Sequence, residues 1–150
     1  MLNMLLGKIP TNGIVVAIKS VSSNKYLDGK SYGNSANTPP GLTSQAPQAD
    51  EQLKWTIEDM GNNLYAIKSA SSDLYLDGRG GESTPWLTNR PPRGDRYLNW
   101  TFEPMGDTKY AIKSVSSNNY LDGGRDESSP SLTNRPPQGD KYLNWDVQVV

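Results

Sequence analysis

Three copies of one pattern fill this chain of 150 residues. Ala17-Ile18-Lys19-Ser20, Ala66-Ile67-Lys68-Ser69 and Ala111-Ile112-Lys113-Ser114 open the copies. Each continues through Tyr-Leu-Asp-Gly, at 26–29, 75–78 and 120–123, to a tryptophan at Trp55, Trp100 or Trp145, and consecutive tryptophans stand 45 residues apart. A fixed period in that range marks a repeat architecture, in which one unit cannot bury its apolar face alone. The sequence therefore divides into repeats over about 14–60, 61–106 and 107–150 of one domain spanning 1–150, and that domain is long enough to bury a real core.

Each repeat reads as four short strands. In the second, Leu64–Ser69 is a strand, 70–73 a tight connection and 74–77 a second strand. A glycine-rich loop over 78–85 precedes a third strand at Trp86–Thr88. A proline-stiffened loop over 89–94 then leads to a fourth strand over 97–103, where Leu98, Trp100 and Phe102 alternate with more polar neighbours and so share one face. The same assignment predicts matched core triplets: Ile18, Ile67 and Ile112; Leu27, Leu76 and Leu121; Leu42, Leu87 and Leu132; Leu53, Leu98 and Leu143; the three tryptophans; and Ile57, Phe102 and Val147. Equal inward sets from every repeat suit a closed pseudo-threefold barrel, whereas a linear stack would need distinct caps at its ends. Helical spacing is not sustained between the Gly and Pro breaks. Twelve strands in three fourfold units make an all-β fold, the β-trefoil.

Composition removes much chemistry. The chain has no histidine, hence no ordinary general base near neutral pH and none of the commonest metal ligand. It has no cysteine, which excludes thiol nucleophiles, thiolate metal sites and disulfides and suits a reducing compartment. A net charge of -1 with both signs scattered gives no footprint for nucleic acid or an anionic membrane. The expectation is no catalytic residue, no metal, no cofactor, no nucleic-acid partner and no membrane insertion, in a monomer or homodimer. The apolar run over residues 1–6 breaks at Gly7-Lys8 and Pro10, too short for a signal-peptide core or a membrane span. It reads as an extended arm, with Asn12-Gly13 as the turn into the first strand, of a protein that is cytoplasmic or exported without a classical signal peptide.

Tyr-Leu-Asp-Gly after a Lys-Ser-x-Ser-Ser turn, then x-Leu-Thr, then Leu-x-Trp resembles the β-trefoil lectins of the ricin B-chain type over 14–150. Leu53, Leu98 and Leu143 stand where that family has the glutamine of Gln-x-Trp. The resemblance implies glycan partners, galactose-type sugars among them, and a sugar-binding aspartate closing the second strand of each repeat, at Asp28, Asp77 and Asp122. A carboxylate accepts paired hydroxyls through charge-assisted bonds, while Asp-Gly also makes turns by itself. The family's aromatic platform falls on Thr88-Asn89 and Thr133-Asn134, so Tyr97, Tyr142 or the unmatched Trp86 would have to supply the apolar face, unless these rings simply shield the barrel's edge.

A second signal is the loop from Leu87 to Trp100, which recurs from Leu132 to Trp145 with Asn-Arg-Pro-Pro, Gly-Asp and Tyr-Leu-Asn retained. Packing alone demands only the leucines and the tryptophan, so Asn89, Arg90 and Tyr97, with Asn134, Arg135 and Tyr142, are candidate pocket residues. A recent duplication is the competing explanation. Repeat one has Ser44-Gln45-Ala46-Pro47 there, so its pocket is altered or dead. Asp50, Asp95 and Asp140 precede each tryptophan by five residues and read as turn residues bonded to backbone N–H. Arg93-Gly94-Asp95 and the sequon Asn99-Trp100-Thr101 read as chance matches. The sequence thus points to a non-catalytic multivalent carbohydrate binder. A protein-binding trefoil, using the four-residue insertion around 34–40 of repeat one, is the main alternative, and a glycosidase acting through carboxylates such as Asp77 and Glu82 is the weakest.

Overall fold

A computed structural model describes residues 13–30, 36–47 and 50–150. The N-terminal arm with Asn12, and residues 34 and 35 of the insertion, lie outside these. Strands β1 (Ile14–Ser20), β2 (Tyr26–Asp28), β3 (Gly41–Thr43) and β4 (Trp55–Gly61) form repeat one; β5 (Leu64–Ser69), β6 (Tyr75–Asp77), β7 (Trp86–Thr88) and β8 (Trp100–Gly106) form repeat two; β9 (Lys109–Ser114), β10 (Tyr120–Asp122), β11 (Ser131–Thr133) and β12 (Trp145–Val149) form repeat three. Antiparallel pairing runs β1 to β4, β4 to β5, β5 to β8, β8 to β9, β9 to β12 and β12 back to β1, closing a six-stranded barrel without a free edge. The short strands pair as β2 with β3, β6 with β7 and β10 with β11, three hairpins that cap one end. This is the β-trefoil that the repeats predict.

The core triplets are inside. Ile18, Ile67 and Ile112, the three Tyr-Leu-Asp-Gly leucines, Leu53, Leu98 and Leu143, and all three tryptophans have no solvent exposure. Phe102 is only half-buried, its ring edge-on to Tyr65 and Tyr110 at 5.8 and 6.2 Å between centroids. Each tryptophan also donates its indole N–H to the leucine carbonyl of its own Tyr-Leu-Asp-Gly, from Trp55 to Leu27 (3.0 Å), Trp100 to Leu76 (3.0 Å) and Trp145 to Leu121 (2.9 Å). A buried indole needs such a partner, so the Trp-to-Leu bond explains why both motifs recur together.

The fourth strand begins later than the alternation predicts. Residues Arg96–Leu98 form one 3-10 turn, repeated at Glu51–Leu53 and Lys141–Leu143, and β8 starts only at Trp100. Asp95 causes this by accepting the Tyr97 N–H (3.0 Å), a cap that folds the chain before it can extend. Leu98 remains buried because the turn points it inward.

The strand-two tyrosines are tied down. Lys19, Lys68 and Lys113 lie across β-pairs from Tyr26, Tyr75 and Tyr120, each ammonium 5.7 to 5.8 Å from its ring centroid. Tyr75 and Tyr120 donate their hydroxyls to Glu58 and Glu103, both at 2.8 Å. Desolvation first, and the carboxylate neighbour second, push Tyr120 up to about 12 and raise Tyr75 as well.

Two outcomes follow from this packing. Replacing Trp55, Trp100 or Trp145 with Ala is expected to cost about 3 to 5 kcal/mol in urea unfolding at each position, and a mild loss at all three would refute the shared core. Raised tyrosine pKa values contribute stability that is complete below the unfolded value near pH 10 and is lost as pH climbs through the folded values. Unfolding midpoints should therefore drop from about pH 10 upward, and a Tyr75→Phe, Tyr120→Phe double variant should show a shallower alkaline decline than the parent.

Candidate functional site: two clefts beside the hairpin caps

In repeats two and three an arginine staples two aspartates together. Arg90 Nη2 reaches Asp77 Oδ2 at 3.0 Å, its Nε reaches Asp95 Oδ2 at 3.0 Å, and Nη1 donates to Thr88 Oγ1 at 3.3 Å. Arg135 repeats the arrangement with Asp122 (3.3 Å), Asp140 (2.9 Å) and Thr133 (3.3 Å). The hydrogen bond to Asp95, foremost, with the charges of Asp77 and Asp95, holds the Arg90 guanidinium above its ordinary range against the opposing effect of burial. The Arg135 guanidinium is raised in the same way, chiefly by Asp140.

The aspartates are the enclosed members of these staples. Asp77 is not an exposed turn carboxylate: its side chain is 5% exposed, Oδ1 accepts the Arg79 N–H (2.8 Å) and Oδ2 meets Arg90. Asp122 is 13% exposed and similarly engaged, by the Gly124 N–H (2.8 Å) and Arg135. The arginine is the open member of each pair, with 45% and 47% of its side chain exposed. Asp50, Asp95 and Asp140 cap the three 3-10 turns, as read from the sequence.

An open cleft of about 840 Å³ forms in repeat two, lined by Asp77, Arg90, Tyr97, Trp86 and Arg79 among others. Its counterpart in repeat three, about 810 Å³, is lined by Asp122, Arg135, Tyr142 and Arg125 among others. The structure thus gathers aspartate, arginine and tyrosine in both repeats. Asn89 and Asn134 do not line either cleft, and both are exposed. The asparagines that hold these loops are Asn99 and Asn144, buried residues whose Nδ2 groups donate to the Pro92 and Pro137 carbonyls, each at 3.0 Å. That also keeps the sequon asparagine inside, and Asp95 of the Arg-Gly-Asp tripeptide is occupied by Arg90 and Tyr97.

Trp86 is the feature that sequence reasoning placed least well. It is half-buried and lines the cleft, with the Arg79 guanidinium stacked 3.5 Å from its ring centroid. Arg79 and Trp86 occur together in repeat two and are both missing from repeat three, where Gly124 and Ser131 stand, so their joint occurrence was the available signal. The insertion of repeat one supplies another wall. Asn37 N–H donates to the Leu87 carbonyl (2.6 Å) and Leu87 N–H to the Thr38 carbonyl (2.7 Å), which docks this segment on β7 and brings Asn37 to the cleft rim.

Repeat one lacks the staple because Gln45 replaces the arginine. Asp28 accepts the Lys30 N–H at 2.8 Å, but desolvation, only partly offset by that bond, and the neighbouring charge of Asp50 raise its pKa. Among the described residues no group of three or more His, Cys, Asp or Glu side chains is placed to hold a metal ion.

The chain matches the family model described as ricin-type beta-trefoil lectin domain-like over residues 6–90. No curated protein sequence matches it. Among solved structures it is similar to the designed three-fold symmetric protein ThreeFoil, with 16% identity, 91% of this chain and 99% of that chain covered and a TM-score of 0.78. It is also similar to Cry35Ab1 (16% identity, 95% and 37% covered, TM-score 0.75) and to an exo-β-1,3-galactanase from Clostridium thermocellum (18%, 95% and 31%, 0.74). The chain spans about a third of the length of the last two, and likeness at these identities is likeness of fold.

The staple separates the repeats by stability. A raised carboxyl pKa means that Asp28 favours the fold below its unfolded value near pH 4 and loses that contribution as pH rises through the folded value, so its charge is a cost at neutral pH. Asp28→Asn should leave the urea midpoint at pH 7 unchanged or higher. Asp77→Asn should lower stability by about 1 to 2 kcal/mol, the worth of a charged hydrogen bond discounted for the exposed arginine. Equal losses at the two positions would mean that the staple does not hold the loop.

Proposed function

The chain belongs to the ricin-type β-trefoil lectin domain-like family, and from that membership we propose that it is a carbohydrate-binding protein with one sugar site in repeat two and one in repeat three. The observation that carries this reading is the recurrence of the same aspartate, arginine and tyrosine around two clefts of nearly equal size. Each stapled pair sets an acceptor beside a donor, the combination that vicinal hydroxyls need, since a hydroxyl both gives and takes a hydrogen bond. Tyr97 and Tyr142 supply the apolar face for a pyranose ring. Binding is the whole activity in this reading. The aspartates of each cleft are engaged by one guanidinium and by backbone N–H groups, an arrangement that fixes a loop rather than one that passes a proton.

Shallow sites bind weakly one at a time. Two on one rigid barrel gain avidity on a glycan-coated surface without new contacts. Galactose-type sugars are the first ligands to test, because the family resemblance implies them and one similar structure is that of a galactanase. On a glycan array the protein should bind galactose-terminated chains, and calorimetric titration with a monovalent sugar should saturate near two per chain. Tyr97→Ala with Tyr142→Ala should weaken each site up to about tenfold without moving the melting temperature. Silence across a broad array would sink the proposal, and three equal sites would shift it to Tyr-Leu-Asp-Gly, which all repeats share.

A further inference from the structure

Resting on that carbohydrate reading, we propose that the repeat-two cleft takes an anionic sugar, one bearing a carboxylate or sulfate group, while the repeat-three cleft takes a neutral one. The two clefts are alike in size and differ in charge. Arg79, Arg90, Arg93 and Arg96 face Asp77 and Asp95 in repeat two. In repeat three Arg125, Arg135 and Lys141 face Asp122, Glu127 and Asp140, so cations and acids balance. In each cleft the charge of one arginine is offset by the two aspartates that it bridges. That leaves three arginines without a lining acid in repeat two, and two cations against Glu127 in repeat three.

The excess is built rather than scattered. Arg79 sits at φ 54, the left-handed region that disfavours side chains, at the position where repeat three has Gly124 at φ 63. Its guanidinium is held flat on Trp86 at 3.5 Å and donates to the Thr84 carbonyl at 3.3 Å. A stacked guanidinium keeps N–H groups at its edge, in the plane where a carboxylate or sulfate accepts them. Glu82 approaches Arg79 only at 4.0 Å with 60% of its side chain exposed, and does not line the cleft. Repeat three inverts this wall. Glu127, the counterpart of Glu82, packs over Gly124 so closely that an added Cβ would fall 2.4 Å from its Cγ, so an acid closes the position from which Arg79 projects in repeat two, and it lines the cleft where Glu82 does not.

Arg93 completes the contrast. Among the described residues it has no ion-pair partner, and its counterpart is the neutral Gln138. A positive cleft on a chain of net charge -1 suits one anionic group on a sugar ring rather than an extended polyanion.

Trp86 gives this site its own reporter, because the other three tryptophans have no solvent exposure. The full chain, labelled for indole N–H and tyrosine ring resonances, is titrated with methyl glucuronide, galactose 6-sulfate, methyl galactoside and inorganic sulfate. The Trp86 resonance should move with one or both anionic sugars at concentrations about tenfold below those needed for methyl galactoside, in keeping with a gained charge-assisted bond. Added salt should weaken the response. Whichever acidic sugar acts distinguishes carboxylate from sulfate. The double variant Arg79→Gly, Arg93→Gln, which carries the small neutral residues of repeat three, should lose that preference while keeping neutral-sugar binding at Tyr142. If methyl galactoside moves Trp86 as readily as the acidic sugars, or inorganic sulfate alone does so as well as they do, the inference is wrong while the carbohydrate reading stands. If no sugar perturbs either Trp86 or Tyr142, both fall.

Discussion

The contact on which this architecture depends joins each repeat to the next through a glycine and a serine. Gly29, Gly78 and Gly123 lie against Ser69, Ser114 and Ser20, and a Cβ added to any of the three would fall 2.1 to 2.2 Å from the facing Oγ. No other residue type fits at these glycines without moving buried structure. The serines are fully buried, and each is the last residue of its Ala-Ile-Lys-Ser strand. Two motifs that look independent along the chain are therefore the two halves of one joint, made three times around the axis. Neighbouring backbone bonds follow the same circuit: Ala70 N–H to Lys54, Val115 N–H to Asn99 and Val21 N–H to Asn144, the last returning repeat one to repeat three. A ring of identical joints has no terminal repeat that needs a cap.

Closure of that ring fixes what the surface can vary. Leu87 N–H bonds to the Thr38 carbonyl, Leu132 N–H to Ser83 and Leu42 N–H to Ser128, so the loop before each third strand leans on the next hairpin. The repeat-two cleft is accordingly bordered by two repeats, with Asn37 of repeat one on its lining, whereas the repeat-three cleft is lined by its own repeat. The aspartate that ends strand two is tied at the backbone in every copy, by the N–H of Lys30, Arg79 or Gly124. What the arginine adds in repeats two and three is a link from that fixed point to Asp95 or Asp140 and through it to the capped 3-10 turn. The proline loop is thereby positioned from the scaffold, which is how a loop becomes rigid enough to form one wall of a site.

Much of this was legible because the repeats allow the chain to be compared with itself. Alternation and threefold recurrence identified the leucine, isoleucine and tryptophan triplets, since burial on one face of a strand imposes a period of two. The strand count and the trefoil followed from the same pattern. The buried serines were not legible, because serine in a Ser-x-Ser-Ser run has the composition of a turn and only the glycine of another repeat makes the first one a core residue. Leu98 was assigned to a strand because a single 3-10 turn preserves alternation over two residues, and only the Asp95 cap distinguishes the cases. In the site, Asp77 and Arg90 were each picked out but not the bond between them, in which burial belongs to the carboxylate and exposure to the guanidinium. Sequence separation hid that bond, although Gln45 beside a retained Asp50 and Asp28 showed that the arginine, not the aspartates, is what repeat one has lost.

The left-handed position after Tyr-Leu-Asp-Gly shows how a symmetric fold admits individual sites. Its backbone is the same in all three repeats, at φ 50 for Lys30, 54 for Arg79 and 63 for Gly124. Glycine satisfies that conformation without strain, so a side chain there persists only where contacts hold it. Arg79 has such contacts in Trp86 and Thr84, which its own hairpin provides. The barrel and its joints tolerate little change, because each substitution there is felt by a neighbouring repeat. The hairpin caps face solvent, and one backbone carries lysine, arginine or glycine beside glycine, tryptophan or serine at the start of strand three. The clefts therefore differ in side chain at these two positions, where the fold constrains the main chain and leaves the side chain open, and the first of them also carries part of their difference in charge.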